Sequence, residues 1–191
     1  MIVRYEGMEV LSKYLQNSEE YIKWLRTELF LDKQSLTMKP RVIVRGSVYR
    51  CDFGINIGSE QEGLRPCVVL QNRNGNISSP NTIVAPITHS RSVQDVVVPI
   101  VAQTDANGNI ILDGYALLGN IVTVSKARLG EHVTDLSISE MEEIDRALAI
   151  SVDLLWKYEK LERIVNDKDE YITKLKESIA AKDREIERLM R

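Results

Sequence analysis

Arg65 stands directly before Pro66, at the end of a polar stretch, Gly58-Ser59-Glu60-Gln61-Glu62-Gly63-Leu64. The proline biases Arg65 toward extended backbone. The apolar run 67–71 that follows gives it rigid support at a strand mouth. A guanidinium held that way suits a pair of anionic oxygens, because its planar fork is always charged. The competing reading is a surface salt bridge from Arg65 to Glu60 or Glu62. A second group lies in Ala85-Pro86-Ile87-Thr88-His89-Ser90-Arg91, which delivers hydroxyls, an imidazole and a guanidinium from one strand end. His89 is either a general base titrating near neutrality or an ordinary exposed loop residue.

Other chemistries find little support. The chain has two cysteines, Cys51 and Cys67, and two histidines, His89 and His132. These are too few for a disulfide framework or a four-ligand zinc site, and both cysteines read as core strand residues in a reducing cytoplasm. No Ser-His-Asp order can be traced, and no phosphate-cradling G-x-x-x-x-G-K-[ST] is present. No metal and no cofactor is expected.

The elements that must carry Arg65 and Thr88 are strands. Short apolar or β-branched runs at 48–53, 67–71, 82–88, 96–100, 110–112, 115–118 and 121–124 predict seven of them. Asn74-Gly75, Ser79-Pro80-Asn81, Asn107-Gly108 and Asp113-Gly114 supply turn chemistry between them. Seven short strands in so little chain predict a small barrel or a strongly bent sheet.

Helices flank this β region. Leu11, Leu15, Ser18, Ile22, Leu25 and Leu29 form a heptad seam that predicts a helix over 8–32, closed by Pro40. A longer seam, Tyr158, Leu161, Val165, Lys168, Ile172, Leu175, Ile179, Lys182, Ile186 and Leu189, alternates three and four without a slip and predicts a coiled coil. Ser139-Glu140-Met141-Glu142 fits a capping box, and no Pro or Gly interrupts 139–191, so one helix could run that whole way. The expected organisation is an N-terminal helical extension over 1–40, a barrel domain over 41–155 and a C-terminal coiled-coil extension over 156–191. The two seams could pack on each other or on symmetry mates, with a docking surface for a partner.

Composition narrows the functional classes. Apolar residues make up 43% of the 191, enough for a core, and the net charge of −3 excludes a globally basic nucleic-acid binder but not a local basic site. The region 41–130 is slightly basic inside an acidic chain, with eight Lys and Arg against six Asp and Glu. No leader-like apolar run opens the sequence, and the longest apolar stretches are strand-sized, so a soluble cytoplasmic protein with no membrane partner is expected.

Taken together, Arg45-Gly46-Ser47-Val48-Tyr49, Asp52-Phe53, then Gly58-Ser59-Glu60-Gln61-x-Gly63-x-Arg65-Pro66-x-Val68-Val69-x-Gln71-Asn72, Gly75-Asn76 and Ser79-Pro80-x-Thr82-Ile83-Val84-Ala85-Pro86-Ile87-Thr88 resemble the MazF/PemK family of toxin endoribonucleases. The resemblance covers about residues 41–155. It implies an α+β fold: a compact SH3-like β-barrel ending in a helix, with the long C-terminal helix and the N-terminal helix as additions. It also implies a homodimer, metal-independent cleavage of single-stranded RNA and inhibition by a cognate antitoxin. Arg65 and Thr88 match the family residues that act at the scissile phosphate, and Ser59, Glu60 and Gln61 match the loop that closes over substrate. Glu60 is the expected base; Gly58, Ser59, Gln61, Asn72 and His89 are the expected substrate-binding residues. Where the family commonly has L-L-x-Q-x-R-T-x-x-K-x-R-L, Asn120 stands for the glutamine and Val122 for the arginine. A binding module without nuclease activity, such as the gyrase poisons of the same fold family, is the alternative reading.

Overall fold

A computed structural model describes residues 2–37, 41–90 and 94–190, with the backbone alone for 2–14 and 16. Pro40, Arg91 and the side chain of Leu11, all used in the sequence reading, lie outside the described residues. The chain forms two compact units, Met1–Leu148 and Ala149–Arg191.

The first unit is built on seven strands: β1 (Ser47–Asp52), β2 (Leu64–Val69), β3 (Asn81–Thr88), β4 (Val97–Thr104), β5 (Ile110–Leu117), β6 (Val122–Ser125) and β7 (Leu129–Asp135). They pair antiparallel in the order β4-β5-β3-β2-β1-β7, with β6 added on β3. Alternation of side chains about the sheet creates two cores. Val48, Val68, Ala85 and Ile87 face Met141, Ile144 and Ala147 of the helix α3 (Ile138–Ser151). Tyr49, Cys51, Cys67, Val69 and Val84 face the other way, with Ile43, Phe53, Val124 and Leu129. β3 is the hub. Residues 84–86 pair with β2, 81–84 with β6, and Ile87 and Thr88 with β5. That division of partners curls the sheet into a half-barrel. Thr134 of β7 hydrogen-bonds Gln103 of β4 across the gap between the two ends of the strand path.

The strand number matches the sequence reading, but the strands differ. Two predicted strands, 110–112 and 115–118, are one strand, β5, and Asp113-Gly114 is not a turn. Gly114 has φ +109°, and a Cβ there would come within 2.5 Å of the Thr88 carbonyl oxygen. The glycine therefore allows β5 to approach β3 closely. The sequence reading missed β7, since among Leu129-Gly130-Glu131-His132-Val133-Thr134-Asp135 only Leu129 is buried. Its ladder with β1 defines it instead of its apolar content. Asn74-Gly75 lies inside a short helix, α2 (Arg73–Ser78), not a hairpin turn.

The helix starts and stops also shift. The capping box belongs to Ser137 and Glu140, two residues before the predicted one. The Ser137 hydroxyl accepts from the Glu140 N–H at 3.3 Å, and the Glu140 carboxylate accepts from the Ser137 N–H at 2.8 Å. Glu140 also accepts from the Val101 N–H at 3.1 Å, satisfying a donor on the edge strand β4. The N-terminal helix α1 runs Ile2–Thr37, beyond both predicted ends. Its Trp24 lies against Gly54 and over the Arg128 guanidinium, 5.1 Å away, and Glu28 pairs with Arg128 at 3.8 Å.

In the second unit the single predicted helix is broken. α3 stops at Ser151 and α4 runs Leu155–Leu189. Asp153 takes φ +54°, with its N–H bonded to Ile150 and the Leu154 N–H to the Ala149 carbonyl. This is a Schellman stop with aspartate in the left-handed position usually given to glycine, so absence of Gly and Pro did not guarantee continuity. No residue of α4 is buried, and among the described residues no helix is long and apolar enough to cross a membrane.

Candidate active site

β2 and β3 bring the two main candidates together. The pairs Cys67–Pro86, Val68–Ala85 and Val69–Val84 set a register which, extended by two residues, places Arg65 opposite Thr88. Residues opposite each other on antiparallel strands project to the same face. Both line one cleft of about 490 Å³, together with Ser59, Glu60, Gln61, Glu62, Ser90, Gln94 and Asn120. Val96, Val97 and Leu117 contribute its apolar wall.

Arg65 does not form the surface salt bridge considered above. Its Nε donates to the Glu62 carbonyl at 2.8 Å and its Nη1 to the Gln61 side-chain oxygen. Among the described residues no carboxylate is within ion-pair distance of it. A half-buried guanidinium is thus aimed by neutral acceptors, with its charge left available to an incoming anion. Thr88 closes β3, and its hydroxyl accepts from the Ser90 N–H at 3.3 Å.

The loop between β1 and β2 is a closed structure, not a slack connector. The Gly63 N–H donates to the Gly54 carbonyl at 2.7 Å, and the Phe53 N–H to the Gly63 carbonyl at 3.0 Å. Asn56 reaches across, donating to the Gln61 carbonyl at 2.7 Å and the Phe53 carbonyl at 3.3 Å. Gln61 is therefore held on its backbone side by Asn56 and holds Arg65 with its side chain. Glu60 is exposed, and its carboxylate accepts from the Ile57 N–H at 3.3 Å within the same loop.

A second cleft of about 610 Å³ adjoins the first and shares Glu60, Gln61, Gly119 and Asn120 with it. Phe53, Asn56, Val122, Thr123 and Arg128 also line it. Asn120 and Val122, the two departures from the resembled pattern, thus both face open cleft. Lys126, which keeps that pattern, is buried and donates to the Asn76 carbonyl. Desolvation pushes its ammonium below the usual lysine range.

Three expected substrate-binding residues stand apart from both clefts' lining. Gly58 sits in the loop with φ +65°. Asn72 caps α2, its side chain accepting from the Gly75 N–H at 2.8 Å. His89 turns to Asp113 at 2.7 Å and is exposed. Sequence reading missed Asn56 and Gln94, while Ser90 belonged to the candidate strand end 85–91 and does line the cleft. Asn56 carries no motif, and Gln94 signals only by following Thr88 in the chain.

Cys51 and Cys67 are both free and buried. The hydrogen bond with Cys51, and then burial, push the Cys67 thiol far above the usual cysteine range, which leaves it unreactive. Among the described residues no three His, Cys, Asp or Glu side chains gather as a metal site requires.

Known proteins resemble this chain over part of its length. Residues 44–152 match a family described as PemK-like, MazF-like toxin of type II toxin-antitoxin system. Over 115 residues the chain is 39% identical to the endoribonuclease EndoA of Bacillus subtilis strain 168, covering 60% of this chain and 97% of that protein. It is 41% identical over 114 residues to the endoribonuclease MazF of Staphylococcus epidermidis, covering 59% and 93%. Among solved structures, an endoribonuclease from Mycobacterial species aligns with a TM-score of 0.50 and 25% identity, over 62% of this chain and 99% of that one. An endoribonuclease in complex with its cognate antitoxin, also from Mycobacterial species, aligns with a TM-score of 0.50 and 28% identity, over 59% and 96%.

Proposed function

This chain belongs to the PemK-like, MazF-like toxins of type II toxin-antitoxin systems, and from that premise we propose that its paired clefts bind single-stranded RNA and cut it without a metal. It is an endoribonuclease toxin. RNA carries its own nucleophile in the 2′-OH. As that oxygen bonds to the adjacent phosphorus, the bond from phosphorus to the 5′-oxygen breaks and that oxygen takes a proton from solvent, leaving a 2′,3′-cyclic phosphate and a 5′-OH. The observation that carries the assignment is that Arg65 and Thr88 line one cleft, with no carboxylate among the described residues pairing the guanidinium.

Arg65 places fixed positive charge where the phosphorane develops negative charge. Thr88 donates a hydrogen bond to a non-bridging oxygen. Glu60 takes the 2′-OH proton, for which it must leave the Ile57 N–H, and its exposed position permits that turn. Ser59 and Gln61 hold the loop over the substrate. The toxin acts in the cytoplasm as a homodimer and is silenced by a cognate antitoxin. A complex of an endoribonuclease with its cognate antitoxin is the subject of one of the similar structures.

The test is to incubate the full chain with a long single-stranded RNA in EDTA and to identify the ends formed. Cleavage giving cyclic phosphate and 5′-OH is expected. Activity lost in EDTA and restored by magnesium would overturn the mechanism. RNA bound but uncut with and without magnesium would leave only a binding module.

A further inference from the structure

α4 is a 35-residue helix, about 52 Å long at about 1.5 Å per residue, that buries none of its side chains. Its apolar seam is nevertheless ordered by residue shape. Numbered as heptads, the first core position carries Tyr158, Val165, Ile172, Ile179 and Ile186; the second carries Leu161, Lys168, Leu175, Lys182 and Leu189. Four of the five first positions are β-branched, and three of the five second positions are leucine. That distribution favours two parallel strands over three or four. The opposite face is charged, as in the Glu159–Arg163 pair at 3.8 Å. Leu161 and Ile179 are 59% and 58% exposed, so the seam is open to a partner.

The two seam lysines identify that partner. Each is followed at once by an aspartate, Lys168 by Asp169 and Lys182 by Asp183. In a parallel pair, a side chain at the second core position packs beside the residue that follows the equivalent position on the other strand. In register, each lysine stem therefore lies along the seam, with its ammonium beside an aspartate of the second copy. A slip of one heptad brings Lys168 or Lys182 beside Lys176 instead, a like-charge contact. Flanking charges agree with the in-register arrangement: Lys157 meets Glu162, and none of the other flanking pairs joins like charges. Antiparallel pairing centred on Ile172 and Leu175 would instead set Lys168 on Ile179, Lys182 on Val165 and Glu162 near Asp183.

We propose that α4 is one strand of a parallel, in-register, two-stranded coiled coil formed with α4 of a second copy of this chain. The pairing adds a specific tether to the proposed homodimer. It rests on that homodimer only in the sense that both need two copies, and its readout does not involve RNA cleavage.

The experiment is oxidative cross-linking of the full chain carrying one added cysteine, read by non-reducing electrophoresis. Cys51 and Cys67 are buried and stay in place. Leu175→Cys, in the seam, forms a disulfide-linked dimer quickly. Glu177→Cys, on the outer face, reports random collision and lags at least tenfold. Asp169→Lys with Asp183→Lys suppresses the Leu175→Cys cross-link, and adding Lys168→Glu with Lys182→Glu restores it. Equal rates for Leu175→Cys and Glu177→Cys would overturn the proposal, even if sedimentation still shows a dimer held by the barrel. So would an Ile172→Cys chain linking only to a Leu175→Cys chain, which means antiparallel pairing. A Leu175→Cys chain linking preferentially to Leu25→Cys in α1 would also overturn it, as would a sedimenting species larger than a dimer.

Discussion

Among the described residues Arg65 has no acidic partner, and that one fact separates a phosphate-binding role from a stabilising one. Its hydrogen bonds go to the Glu62 carbonyl and the Gln61 side chain, both neutral. Arg65→Ala should lower the cleavage rate by ~10²–10³, the usual cost of losing a donor aimed at developing charge. The thermal melt should stay within about 0.5 kcal/mol of the parent, as expected of a substitution outside the core. Single-turnover cleavage beside circular dichroism checks both halves. Near-parental cleavage with an unchanged melt would remove Arg65 from the site. Thr88→Ala should cost less, because it deletes a neutral hydrogen bond and leaves the charge in place.

At the scale of the element, two contacts position the cleft from outside it. Gly114 lets β5 lie against the end of β3, where Thr88 begins the cleft wall. Gly114→Ala requires a positive φ of a residue that disfavours it and drives a methyl group into the Thr88 carbonyl. We expect at least about 1–3 kcal/mol of destabilisation and a loss of cleavage larger than the melt alone explains. Normal cleavage by the fraction still folded would show that β5 does not set Thr88. Glu140 ties α3 to β4 through Ser137 and Val101. Burial works to raise its pKa, but the hydrogen bonds from Ser137 and Val101 outweigh burial and hold the carboxyl below the usual glutamate range. Asp135 is likewise lowered, by Ser47 and then His132. A carboxyl with a depressed folded pKa binds its proton more readily when unfolded. Both groups therefore stabilise the fold fully above the ordinary carboxylate range, and that stability is lost as pH falls through their folded values. Glu140→Gln should flatten the acid limb of a melting-temperature curve against pH while lowering stability near neutrality. An acid limb identical to the parent's would refute the assignment.

At the scale of the whole molecule, the half-barrel with its two cores and α4 differ in kind. The first is held by long-range strand pairing and buried apolar faces. The second is a helix with an open seam and no buried residue. A chain ending at Leu154 should keep a cooperative melt and cleave RNA at protein concentrations that saturate the barrel's own association. It should lose helical signal in proportion to the residues removed. A molten or inactive product would mean that α4 is needed for the first unit to fold. The N-terminal helix is bound differently, since Trp24 and Glu28 engage Gly54 and Arg128.

Local chemistry determined much of this in advance. Pro66 biased Arg65 toward extended backbone, apolar and β-branched runs marked β1 and β3, and the alternation of three and four marked α4. Each is a property of neighbours in the chain. The loop motif and the Pro86-Ile87-Thr88 strand end likewise made Arg65 and Thr88 legible as candidates. Tertiary structure decided what depends on residues far apart in sequence. Asp113-Gly114 reads as a turn until β3 lies beside it, and β7 has too few buried side chains to appear without β1. Asn72 becomes a cap, not a cleft residue, only once α2 forms. The left-handed Asp153 stops a helix that composition would continue. Above all, the sequence places Arg65 and Thr88 more than twenty residues apart. The antiparallel pairing of β2 with β3 brings both into the lining of one cleft, because strand pairing, and not chain proximity, determines which side chains share a wall.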